Sequence, residues 1–129
     1  LETFPLEHFY DAIRLLAGGQ VYALVAPEDT QYPALVYTPI AQELVLGLDG
    51  PQGLQRLRVQ VDAYARSLQE ALYLQDRVLA ALMAADSAVV DVRLSLTDFE
   101  PQARLYRVSV DYTQFTPGTD LAPATDTPS

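Results

Sequence analysis

Between residues 56 and 64 the chain alternates almost without error: Leu57, Val59, Val61 and Ala63 take one parity, Arg56, Arg58, Gln60 and Asp62 the other. A period of two belongs to a β-strand with one face in a core and the other left available, and it limits this part of the chain to a sheet. Residues 88–97 obey the same rule, with Val90, Val92, Leu94 and Leu96 opposed to Asp91, Arg93, Ser95 and Thr97. So do residues 105–115, where Tyr106, Val108, Val110 and Tyr112 read as inward and Arg107, Ser109, Asp111 and Thr113 as outward. Residues 98–103 between them read as a turn, which makes the last two strands a hairpin. Three long strands with one polar face each predict an antiparallel sheet covered by helices on one side only.

Helical spacing appears twice. Over residues 5–17, Leu6, Phe9, Ile13 and Leu16 recur at threes and fours, with Glu7, His8, Asp11 and Arg14 on the other side. Thr3 is placed to cap this helix, and Gly18-Gly19 to stop it, because glycine accepts the left-handed conformation at a helix end. Residues 66–85 form a second, more apolar helix: Leu68, Leu72, Leu79 and Leu82 cluster on a wheel, and Leu74, Val78, Ala81 and Ala85 widen the stripe. One sheet face does not cover that arc, so the first helix or a neighbouring subunit is expected beside it, with Ala80, Ala81, Ala84 and Ala85 allowing close approach. Gln75, near the centre of the stripe, is expected to bond a backbone group or to sit at a gap between elements.

The remaining segments are shorter. Residues 20–25 and 34–40 read as strands flanking a polar, proline-bounded loop at 27–33, and Pro39 should end the second strand or confine it to an edge. Residues 43–48 form a short apolar strand without an evident partner, and 47–53 a glycine-rich connection. Arg58-Val59-Gln60-Val61-Asp62 is echoed by Arg107-Val108-Ser109-Val110-Asp111. If the two were antiparallel neighbours with Gln60 opposite Ser109, Arg58 would face Asp111 and Asp62 would face Arg107. Residues 116–129, rich in Pro, Thr and Asp, lack periodicity and read as an extended tail after a single domain at 1–115, ordering against a partner if at all. At 129 residues, one core is what the chain can build.

Composition narrows the chemistry. Cysteine is absent, and the single histidine, His8, lies on the polar side of the first helix, which excludes disulfides, thiolate metal sites and histidine clusters. Seventeen acidic residues stand against eight basic ones, all arginine, for a net charge of −9. The arginines are scattered singly among acids, so a counterion-displacing DNA grip is not expected, whereas acidic walls suit a conduit that must let phosphates slide. Glu28-Asp29 and Asp98 with Glu100 are acid pairs of the kind that loops usually leave solvated. No serine sits in a nucleophile elbow, and Gly47, Gly50 and Gly53 match neither a P-loop nor a dinucleotide fingerprint. Catalytic, cofactor and metal residues are therefore assigned to none. Apolar runs are too short for the roughly 18 residues of a membrane span, and no signal peptide is visible, which points to a soluble chain. The eight tyrosines suit half-buried positions, at interfaces or at ordinary sheet edges.

Read in order, the helix ending at Gly18-Gly19, Val21-Tyr22 to Ala26-Pro27, Pro33-Ala34-Leu35-Val36-Tyr37, the stretch Leu48 to Tyr64 and Leu105 to Asp111 resemble the tail-completion, or tail-terminator, proteins of long-tailed bacteriophages. The matching pieces span nearly the whole domain. The resemblance implies an α+β fold, a mostly antiparallel sheet with two main helices packed on one face. It implies a structural, non-enzymatic virion protein of the tail and neck, assembled in the host cytoplasm as a ring, typically a hexamer. That ring would cap the tail tube, stop its polymerisation and join the head, with tube protein and head–tail connector proteins as partners. Genomic DNA would pass through without stable binding; no cofactor and no membrane are implied. Another neck or head-closure component, or a small acidic ligand-binding domain, are the competing readings. Asp49, Gly50, Pro51, Gln52, Gly53 and Leu54 are the candidate contact with a neighbouring subunit or the tube. Arg58, Gln60, Asp62, Arg107, Ser109 and Asp111 form the candidate polar sheet face.

Overall fold

The computed structural model describes residues 4–47, 50–85 and 89–117. Its elements run α1 (Phe4–Ile13), a 3₁₀ turn (Leu16–Gly19), β1 (Val21–Ala23), β2 (Ala34–Gly47), β3 (Gly50–Ala65), α2 (Leu68–Ala84), β4 (Val89–Glu100) and β5 (Leu105–Pro117). The five strands form one sheet in the order β1-β2-β3-β5-β4. Only the β1–β2 pairing is parallel; the others are antiparallel. The α+β expectation therefore holds, with a mostly antiparallel sheet and two main helices.

The core is the expected row of β3, Leu57, Val59, Val61 and Ala63, joined by Val108, Val110 and Tyr112 of β5 and Leu35 and Tyr37 of β2. Phe9 and Ile13 of α1 and Ala71, Leu74, Val78 and Leu82 of α2 complete it. Both helices reach Tyr112: the Phe9 ring lies 6.3 Å from the tyrosine ring, and the Tyr112 hydroxyl donates to Gln75 Oε1 at 2.7 Å. Ser67 caps α2 by accepting from the Glu70 N–H at 3.1 Å, so the helix starts two residues later than its apolar pattern suggested. The Ser-x-x-Glu spacing that marks this start is visible in the sequence.

Several expectations are corrected. Helix α1 ends at Ile13 rather than at 17, because Ala17 (φ 52°) already takes the left-handed conformation assigned to the glycines, and Gly18 (φ 64°) and Gly19 (φ 89°) continue it. Thr3, the expected cap, lies outside the described residues. Pro39 does not end its strand: β2 runs through it, absorbs a register shift between Pro39 and Ala41, and takes in residues 43–47 of the short strand expected at 43–48, whose last residue lies outside the described residues. The edge half of that expectation is met, since pairing with β1 stops at Tyr37 and β2 has only β3 beside it beyond that point. The turn expected at 98–103 is shorter, because β4 continues to Glu100, and β5 extends two residues past 115 to Pro117. On α2, Leu72 belongs to an exposed flank and not to the stripe's buried centre, which falls on Ala71, Leu74, Gln75, Val78 and Leu82.

The echoing strands are neighbours, but not in the register their echo suggests. Gln60 lies opposite Asp111, Arg58 opposite Thr113 and Asp62 opposite Ser109, a shift of two residues. A shift of two keeps every side chain on its own face, so alternation alone cannot choose between the two registers. The observed one sets Tyr112 against Val59 and lets its hydroxyl meet Gln75.

Candidate functional surfaces

The sheet face away from the core divides into two halves with different surroundings. At one end the loop after β1 arches over it. Leu24 donates its N–H to the Tyr37 carbonyl at 2.9 Å, Tyr32 sets its ring edge-on to Tyr64 at 6.2 Å, and the Arg66 guanidinium lies 6.0 Å over the Tyr32 ring. A hollow of about 290 Å³ remains between this loop, Val36, Asp62, Tyr64 and Leu105. Under this cover Val36, Asp62, Leu105 and Ser109 are buried even though they face away from the core. The other half is open. A hollow of about 410 Å³ there is lined by Glu43, Arg56, Arg58, Asp91, Arg93 and Asp111, three acids against three arginines. Arg56 pairs with Glu43, and Arg93 Nε donates to Asp91 Oδ2 at 2.9 Å. The chain's acid surplus is therefore carried elsewhere.

All six residues of the candidate polar face do lie together on β3 and β5. Asp62 is the centre of a small network, accepting from the Ser109 hydroxyl and from Gln60 Nε2, the latter at 3.0 Å. Arg107 does not face Asp62 across the strands; it bonds Asp98 of β4 at 2.8 Å. Burial alone would lower the Arg107 pKa, but hydrogen bonds to Tyr64 and Asp98 and the charge of Asp62 outweigh it and raise the value, so the guanidinium stays charged. Tyr64 is itself raised, mainly by burial. Arg107 Nε and Asp111 Oδ1 are buried without a hydrogen-bond partner among the described residues. Exposure thus falls unevenly over the six: Arg58 is open to solvent, whereas Ser109 and Asp62 are buried.

The glycine-rich connection expected at 47–53 is strand at its described residues. Gly50, Pro51, Gln52, Gly53 and Leu54 belong to β3, and Asp49 lies outside the described residues. Glycine weakens a strand without forbidding one, and here the β2 ladder carries the chain through to the Gly47–Gly50 rung. Pairing with β5 begins only at Leu54 opposite Pro117. Among the described residues the hairpin end therefore extends beyond the third strand, by four residues or roughly 13 Å.

On β4 the sequence pattern put Val92, Leu94 and Leu96 on one face; they are 42, 63 and 43% exposed, and Leu96 departs from the face of the other two. A register shift between Leu94 and Leu96 sets Leu96 opposite Ser109, on the outer face, and brings Thr97 opposite Val108. Helix α2 packs chiefly on β3 and β5, and of β4 Val89 is partly buried against the core cluster. His8 is on the exposed side of α1, as expected, and no group of three or more potential metal ligands occurs among the described residues.

Comparison with known proteins agrees with this architecture. A family model described as tail completion protein gp17 matches residues 10–116. A subunit in the structure of the virion of a native gene transfer agent particle is similar to this chain at 14% identity and a TM-score of 0.55, over 84% of this chain and 91% of that one. No curated protein matches.

Proposed function

Because the chain belongs to the tail completion protein gp17 family, a family of structural phage tail proteins, we propose that it assembles as a closed ring of six copies. The ring caps the finished tail tube, halts its polymerisation and offers its other side to the head–tail connector. The observation that carries this reading is the extent of the family match, from Tyr10 in α1 to Thr116 in β5. A closed ring of heterologous contacts can match the symmetry of a tube end on one side and present a different surface on the other.

The β2–β3 hairpin supports the reading in detail. A two-stranded hairpin is marginal by itself in water, and among the described residues 50–53 of β3 pair with β2 alone, an arrangement that docking on something else would stabilise. Residues 49–54 are therefore proposed to meet the neighbouring subunit or the tube. The open half of the outer face, with equal numbers of acids and arginines, is suited to neither gripping nor strongly repelling DNA; the genome passes the ring without stable binding. Assembly takes place in the host cytoplasm and the product stays in the virion, at the neck.

Native mass spectrometry tests the ring. Six copies of 14.2 kDa give about 85 kDa for a closed hexamer, and a strict monomer in the presence of tube protein rejects it. Particles lacking the protein test the role: overlong tubes indicate a terminator, whereas normal tails that fail to join heads indicate a different neck component.

A further inference from the structure

On the ring reading above, we propose that the hollow beneath the loop after β1 seats Leu121 of a neighbouring copy, with the adjoining Asp120 against the arginines at its edge. The hollow measures about 290 Å³, near the lower bound of roughly 300 Å³ for small-molecule sites, so it suits one or two side chains. Leu24, Val25, Val36 and Leu105 line it beside the rings of Tyr32 and Tyr64. Leu24 and Val25 are 65 and 73% exposed, and aliphatic side chains gathered around a hollow gain from being covered. The edge is charged. The Arg66 guanidinium lies 6.0 Å over the Tyr32 ring and donates to the Ala103 carbonyl at 3.4 Å, and Arg104 is exposed between the lining residues Ala103 and Leu105. Among the described residues neither arginine is ion-paired with a carboxylate. Asp62, on the hollow's floor, is already bonded by Ser109 and Gln60. Glu100, also on the lining, turns an incoming acid away from its own side and toward the arginines.

The chain itself supplies an occupant of matching chemistry. Residues 118–129 contain two acids, no arginine and one large apolar residue, and that residue, Leu121, directly follows Asp120. Burial of the leucine carries the contact, and the exposed ion pair, weak by itself, fixes its orientation. Reach decides which copy provides it. β5 ends at Pro117, opposite Leu54, whereas the hollow lies beside the rung of Tyr64 and Arg107, ten residues away along an unbroken register, or roughly 33 Å. Leu121 stands four residues beyond Pro117 and reaches at most about 14 Å from it. A copy therefore cannot fill its own hollow with its own Leu121, and a second copy can. Because the donor segment and the hollow sit at opposite ends of the same sheet, the contact is heterologous and repeats around a closed series.

The absence of cysteine allows a direct test on the full chain. Val25→Cys and Leu121→Cys are combined in one chain, oxidised with copper phenanthroline and run on a non-reducing denaturing gel; thermal unfolding midpoints within a few degrees of the parent establish that the variants fold. A ladder of covalently linked copies is expected from the double variant, and monomers from each single variant. Adding Arg66→Glu and Arg104→Glu is expected to cut the ladder several-fold, and Asp120→Arg to restore it. A double variant that closes only an internal crosslink, without a ladder, overturns the assignment to a neighbour. A ladder obtained with Arg58→Cys and Leu121→Cys, and not with Val25→Cys, overturns the choice of hollow in favour of the open half of the outer face. A parent that forms hexamers in native mass spectrometry while the double variant gives no ladder overturns the proposal and leaves the ring intact. A parent that stays monomeric with tube protein present removes the ring reading and this proposal with it.

Discussion

Gln75 shows how one polar residue can organise an apolar interface. Its Nε2 donates to the Val61 carbonyl at 2.7 Å and the Val108 carbonyl at 2.8 Å, and its Oε1 accepts from Tyr112, so α2 is tied to both central strands by a single amide. Backbone bonding was one of the two expectations at this position, beside a gap between elements, but the two-strand bridge could not be read from the helix, because which carbonyls lie within reach is a property of the packed sheet. Gln75→Leu keeps the volume while leaving the Tyr112 hydroxyl with only the Gln75 carbonyl, at 3.1 Å. The expected cost is about 1–3 kcal/mol of unfolding free energy in urea titration. Tyr112 adds a pH dependence. Burial, with the nearby Asp76 charge, raises its pKa above the ordinary 10.0. The folded state thus holds the phenolic proton more tightly than the unfolded chain does, and stability is full below pH 10 and falls as the pH rises above it. Urea midpoints measured from pH 8 to 11, on the parent and on Tyr112→Phe, check this: the alkaline decline should be shallower in the variant.

Among the elements, the β2–β3 hairpin carries the clearest separation of fold from function. Its lower part is woven into the core through Leu35, Tyr37, Leu57, Val59 and Val61, whereas among the described residues its end extends past β5. Replacing residues 46–53 by Asn-Gly joins Val45 to Leu54, which already face each other, through a two-residue turn compatible with strand twist. We expect an unchanged far-ultraviolet spectrum, a melting temperature within a few degrees of the parent, and loss of tube-length control in an assembly assay; a shortened chain that still caps tubes would reject the proposed role of residues 49–54. The strand at 56–65 was legible because its apolar parity is unbroken. The end of the same strand was not, since Gly50, Pro51 and Gly53 carry turn chemistry and only the ladder with β2 makes them extended.

At the scale of the whole molecule, surface coverage is the deciding quantity. A helix with its side chains is about 10–12 Å wide and strands stand about 4.8 Å apart, so α2 covers roughly two strands. It packs chiefly on β3 and β5, and Val92, Leu94 and Phe99 of β4 stay more than 40% exposed. Apolar contact between chains of charge −9 also has a salt signature. Screening weakens the repulsion and leaves the apolar contact intact, so raising NaCl from about 50 mM to about 500 mM should tighten self-association. Sedimentation velocity over that range reads the effect, and dissociation by salt would mean that ion pairs hold the copies together.

Periodicity belongs to the covalent order of the chain, and by itself it determined the three long strands, the two helices and the core row of β3, while composition excluded cysteine and histidine-cluster chemistry. What it could not determine is what lies opposite or above a residue. Alternation is unchanged when a strand slides by two, so the β3–β5 register was decided by Tyr112 against Gln75 and Ser109 against Asp62. An apolar face reads the same whether or not a helix is wide enough to reach it. The tertiary structure alone therefore left Leu94 of β4, and Leu24 and Val25 after β1, exposed.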